Sequence, residues 1–116
     1  MEAGKYNFSI KQGSTFSKVL IYKDDEGVVK NLTGYQAKMQ LRESVNGKVL
    51  IELTTTNGRL IITPLDGKIE MHLTPAETKE LNFCKALYDL DIFTTENKYT
   101  LLEGNVTLIK EVTRNV

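Results

Sequence analysis

Tyr35-Gln36-Ala37-Lys38-Met39-Gln40-Leu41-Arg42 is the stretch on which the reading of the fold turns. Tyr35, Ala37, Met39 and Leu41 alternate with Gln36, Lys38, Gln40 and Arg42. A period of two is that of a pleated strand with one face buried and one face wet. Asn46-Gly47 follows, a dipeptide whose residues both accept the left-handed backbone of a tight hairpin turn. Residues 49–56 then alternate again, Ile51 and Leu53 against Glu52 and Thr54. Together they predict a hairpin.

Working outward, the same grammar repeats. Residues 6–11 set Tyr6, Phe8 and Ile10 on one face, and 16–23 is rich in the β-branched and aromatic residues that strands favour. Gly13-Ser14, Asp24-Asp25-Glu26-Gly27 and Asn31-Leu32-Thr33-Gly34 supply turns. Asn57-Gly58 and Asp66-Gly67 bracket short strands at 60–63 and 68–73, so a meander is expected there. Residues 85–94 and 99–112 read as two long strands joined by Thr95-Glu96-Asn97-Lys98, the second with Leu102, Gly104, Val106 and Leu108 on one face. One helix is signalled over residues 75–81: Thr74 to cap it, Pro75 at its first position and Glu77 to complete a capping box. The prediction is an all-β chain, an immunoglobulin-like antiparallel sandwich of seven or eight strands with that one short helix, forming a single domain over residues 1–116.

Composition narrows the function classes. Fifteen basic residues balance fifteen acidic ones, and the two signs are interspersed along the chain. Nucleic-acid binders gather a basic excess to neutralise phosphates, so neither DNA nor RNA is the expected partner. Zero net charge also removes long-range repulsion between copies of the chain. No apolar stretch approaches the length of a membrane span or of a signal peptide, and a single cysteine allows no internal disulfide, so a reducing cytoplasm is the expected site of folding. The Asn-x-Ser/Thr triplets at Asn7, Asn31 and Asn105 carry no glycosylation meaning without a secretory signal.

Candidates for chemistry are few. His72 is the one histidine, and it lies out of phase with the apolar residues of its strand, so a solvated position is expected. Any Ser/His/Asp arrangement would have to use it, and no serine stands in a nucleophile-elbow context. Cys84 is expected to be a small buried thiol filling a gap. One histidine and one cysteine cannot furnish four tetrahedral zinc ligands, and the Asp24-Asp25-Glu26-Gly27 turn lacks the spacing of a calcium loop. Asp89 and Asp91 share one strand face, where a lysine or arginine of a neighbouring strand or of a partner chain could meet them. Tyr6, Tyr22, Tyr35, Tyr88 and Tyr99 fall at strand starts or on the inward phase, as core and rim residues. The expectation is no catalytic, metal or cofactor site: a chain that is not an enzyme.

A resemblance rests on a longer order of motifs. Asn31-Leu32-Thr33-Gly34-Tyr35-Gln36-Ala37-Lys38-Met39-Gln40-Leu41-Arg42-Glu43-Ser44 leads to Leu53-Thr54-Thr55-Thr56-Asn57-Gly58-Arg59-Leu60. Asp66-Gly67-Lys68-Ile69-Glu70-Met71-His72-Leu73, a helix from Thr74 to Thr78, and Tyr88-Asp89-Leu90 follow. Leu102-Glu103-Gly104-Asn105-Val106-Thr107-Leu108 and Glu111-Val112-Thr113-Arg114 end it. This order resembles small tail-module proteins of tailed bacteriophages and prophages, comparable to tail collar proteins and to the amino-terminal domain of baseplate upper proteins. The resemblance spans roughly residues 6–114 and its motifs are structural. It implies an immunoglobulin-like virion component of the tail tip or baseplate, made in the host cytoplasm. It further implies many copies in a ring and attachment to a tail hub or to fibres. A carbohydrate- or receptor-binding sandwich is the alternative.

Overall fold

A computed structural model describes residues 4–112 of the chain. Its elements, in chain order, are β1 (Gly4–Lys5), β2 (Phe8–Lys11), β3 (Phe16–Ile21), β4 (Gln36–Arg42), β5 (Val49–Thr54), β6 (Leu60–Thr63), β7 (Lys68–Leu73), α1 (Pro75–Lys79), β8 (Lys85–Phe93) and β9 (Lys98–Ile109). Thr113 and Arg114, the last residues of the motif order above, lie outside the described residues.

Two sheets share these strands, β1/β2-β9-β8-β4-β5 in the larger and β3-β7-β6 in the smaller. β1 and β2 lie in line along one edge of β9, so nine segments fill eight strand positions. That edge departs from the expected antiparallel pattern: both segments run parallel to β9. The chain passes between the sheets after β2, β3, β5 and β7, and turns back within a sheet after β4, β6 and β8. The result is an all-β sandwich of immunoglobulin type.

The core is the pair of inward faces. Ala37, Met39 and Leu41 of β4, Ala86, Tyr88, Leu90 and Ile92 of β8, and Ile69, Met71 and Leu73 of β7 are all buried, as their alternation requires. Phe8 on the larger sheet stacks on Phe16 of the smaller with ring centroids 5.5 Å apart, and meets Tyr88 edge-on at 5.0 Å. Register breaks adjust the pattern at two places. Leu101 has no partner between the Leu90–Leu102 and Asp91–Thr100 pairs, so Leu101 and Leu102 both pack on the core. Leu50 and Ile51 do the same where β5 slips against β4.

Two turn expectations change and a third is met with added detail. Residues 43–48 make a longer link, with Glu43 N–H donating to the Lys48 carbonyl at 3.2 Å and Gly47 N–H to the Ser44 carbonyl at 3.0 Å, and Gly47 is not among the left-handed glycines. Asn57-Gly58 closes no hairpin, because β5 and β6 belong to different sheets and the expected meander is split between them. The Asp66-Gly67 hairpin does form, through a 3-10 turn over Pro64–Asp66 that the sequence reading missed. Gly67 ends that turn at φ 57°, where a Cβ would also collide with the Lys30 and Tyr22 carbonyl oxygens.

The helix is shorter than expected, Pro75–Lys79 rather than 75–81, but its capping box is complete. Thr74 Oγ1 accepts from Glu77 N–H, and a Glu77 carboxylate oxygen accepts from Thr74 N–H at 2.8 Å. Thr78 is fully buried and donates its hydroxyl to the Ser14 carbonyl at 2.8 Å, which ties α1 to the link between β2 and β3.

Candidate functional site

The outward face of the larger sheet carries the main concentration of polar groups. On β4 and β5 they form a chain of contacts. Arg42 donates to the Gln40 side-chain oxygen at 2.7 Å and to the Gly47 carbonyl at 2.9 Å; Gln40 donates to Glu52 at 2.6 Å; Lys38 lies 3.5 Å from Glu52. The hydrogen bond from Gln40 holds the Glu52 carboxyl below its ordinary range, and Lys38 and Arg42 add to this against partial desolvation.

On β8 and β9 the pairing is uneven. Asp91 accepts the Thr100 hydroxyl at 2.7 Å and sits 3.4 Å from the Lys98 ammonium, so the expected cross-strand ion pair exists within the chain. Glu103 pairs with Lys5 at 2.5 Å. The carboxylate of Asp89, opposite Glu103 and Gln40, has no hydrogen bond or ion pair among the described residues. Desolvation, and then the neighbouring Asp91 and Glu103 carboxylates, push its carboxyl up, against the pull of Lys98 and Arg42.

Between these rows and the 43–48 link lies an open concavity of ≈ 780 Å³, lined by Arg42, Val45, Asp89, Lys98 and Asn105 among others. Its charges are mixed in sign, and Val45 stands 78% exposed at its rim. Such a surface suits recognition of another polar macromolecular surface more than the enclosure of a small molecule, whose sites are mostly apolar and deep.

Other sequence candidates lie apart from this face. His72 is on the outward side of β7, partly exposed as expected, with Nε2 3.8 Å from Glu70. Ser17 is its cross-strand neighbour, yet no hydrogen bond joins hydroxyl and imidazole, and the geometry gives His72 no nucleophile to activate. Cys84 is a correction: it is exposed, not buried, because it lies in the link between α1 and β8 where the backbone leaves the core. The Asp24 carboxylate is occupied by its own turn, accepting from Glu26 and Val28 N–H at 2.9 Å each. No group of acidic, histidine or cysteine side chains among the described residues could hold a metal ion.

The Asn-x-Ser/Thr residues turn out to be structural. Asn7 accepts from Asn105 N–H at 2.9 Å, and Asn31 from Thr33 N–H at 2.9 Å. Tyr88 is in the core, where burial and then Tyr6 push its phenol up to about 12. Tyr22, Tyr35 and Tyr99 gather at one end: the Tyr35 and Tyr99 rings are 6.4 Å apart, and both act electrostatically on Tyr22. Proximity of the residue after β3, the residue before β4 and the start of β9 has no signature in a linear sequence.

Comparison with known proteins matches no family model and no curated relative.

Proposed function

We propose that this chain is an assembly protein of a bacteriophage tail tip or baseplate, a collar or fibre-attachment component acting through protein–protein contacts. The observation that carries the reading is the outward face of the larger sheet. It is broad and open, its charges are interleaved, and Arg42, Lys98 and Asp89 stand around one concavity. Interleaved signs on a neutral chain favour a partner with a complementary pattern and set its register. The motif order that resembles phage tail modules supplies the setting. On this reading the protein resides in the virion tail and contacts copies of itself together with a tail-hub or fibre protein.

The test is the mass of the purified chain mixed with a tail-hub protein encoded beside it. A stoichiometric complex is expected, weakened by salt and by the charge reversals Arg42→Glu and Lys98→Glu. No complex at roughly 100 μM, well above ordinary structural affinities, would overturn the reading.

A carbohydrate-binding role is the second reading, and the Tyr22, Tyr35 and Tyr99 cluster is what favours it. Tyr99 is 39% exposed and can offer a ring face. Glycan-array binding that disappears in Tyr99→Ala would support this role over the first.

A further inference from the structure

We infer that the open edge of β3 is a seam at which two copies of this chain pair strand to strand about a two-fold axis. The inference rests on the assembly reading but uses a different surface, on the smaller sheet.

The four sheet edges are not equivalent. β1/β2 is broken into short segments at Tyr6 and Asn7, whose carbonyl and side chain are taken by Tyr88 and Asn105. β5 is bulged at Leu50, and its outer backbone is already occupied: the Glu52 carbonyl accepts from Asn57 and Arg59 side chains, and Thr54 N–H donates to Asn57. β6 has four residues and runs straight into Pro64. Bulges, brevity and proline are the devices by which native edges avoid unwanted pairing. β3 has none of them. It is six residues long, pairs regularly with β7 and with no other strand among the described residues, and its one cation, Lys18, is drawn to Tyr6, with the ammonium 3.1 Å from the hydroxyl.

The backbone phase can be read from one bond. Tyr22 N–H donates to the Gly67 carbonyl at 2.8 Å, so Tyr22 faces β7. With a period of two, Leu20, Lys18 and Phe16 face β7 as well, and Ser17, Val19 and Ile21 present N–H and C=O to the open side. The outward side chains at that edge, Val19 at 56% exposure and Ile21 at 40%, are apolar and β-branched.

A second copy of β3 fits this edge with Val19 at the centre. Centred on Val19, antiparallel pairing sets Val19 against Val19 and Ser17 against Ile21 on one face, and Lys18 against Leu20 on the other. No like charges meet, and three facing pairs exchange two bonds each, about six in all. Centring one residue earlier would bring Lys18 against Lys18, which disfavours that register. With zero net charge, no long-range repulsion opposes the approach.

Sedimentation equilibrium of the full chain from roughly 10 μM to 1 mM is expected to show a dimer. Val19→Pro should raise the dissociation constant about tenfold or more while the monomer stays folded, since an edge residue whose N–H points outward tolerates proline. Val19→Lys should do the same through repulsion. In a Cys84→Ser background, Val19→Cys should form a disulfide-linked dimer, because facing residues of a bonded pair lie roughly 5.5 Å apart. Glu70→Cys, on the central strand of the same face, should not. A dimer indifferent to Val19→Pro and Val19→Lys, with no Val19→Cys cross-link, overturns β3 as the seam and leaves self-assembly standing. A chain that is monomeric at 1 mM yet still binds the hub protein overturns this inference alone.

Discussion

Gly104 shows how one residue sets an edge. Tyr6 passes so close that a Cβ at Gly104 would run into its carbonyl oxygen. The same carbonyl accepts the Tyr88 hydroxyl at 2.7 Å, so the glycine makes room for the one hydrogen bond that Tyr88 needs in the core. Gly104→Ala should therefore cost about 1–3 kcal/mol by denaturant unfolding, the range for forced overpacking. Tyr88→Phe should cost about 1 kcal/mol by leaving the carbonyl unpaired. Tyr88 also carries a pH signature. Its phenol is raised from 10.0 to about 12, so the neutral form is the one the fold prefers. That contribution is whole below pH 10 and is lost as pH rises toward about 12; unfolding curves of the native chain and Tyr88→Phe should converge over this window. Asp89 behaves oppositely at neutral pH. Its raised carboxyl means that ionisation opposes folding, so Asp89→Asn should be slightly stabilising at pH 7, and the gain should vanish below the ordinary value of 3.8.

At the scale of elements, α1 is too short to be stable alone and is held by its termini. Glu77 serves two partners, the Thr74 backbone and the Arg59 guanidinium at 2.6 Å. The Thr74 backbone hydrogen bond, with Arg59 in support, depresses its carboxyl. Its contribution is present above the ordinary carboxylate pKa and is lost as pH falls through the depressed one. Thr74→Ala should cost about 1 kcal/mol, and acid titration of Glu77→Gln should lack that loss. The box was legible as Thr74-Pro75-Ala76-Glu77 because capping is local chemistry. The slips of β5 at Leu50 and of β9 at Leu101 were not legible, since a bulge is defined by the partner strand and leaves no local mark. The helix end was misread for a related reason: Leu81 is buried as expected, but from the link after the helix, where its N–H donates to the Thr78 carbonyl.

At the scale of the molecule, the first segments of the chain, β1 and β2, lie along β9 in the larger sheet. In the smaller sheet β3 pairs with β7 alone among the described residues, and its other edge is the seam at which dimerisation is expected. The sequence by itself determined most of the strands and of their buried faces, the capped helix, and that only one histidine and one cysteine are present, because periodicity, capping and composition act within a few residues. It also placed Asp89 and Asp91 on one face, since alternation along a strand is local. Only the tertiary structure decided that Lys98 pairs with Asp91 while the Asp89 carboxylate is left unpaired among the described residues, that Cys84 is exposed, and that three tyrosines far apart in sequence meet at one end. Those facts depend on which strands become neighbours, and pairing between strands is set by the packing of two whole sheets around one core.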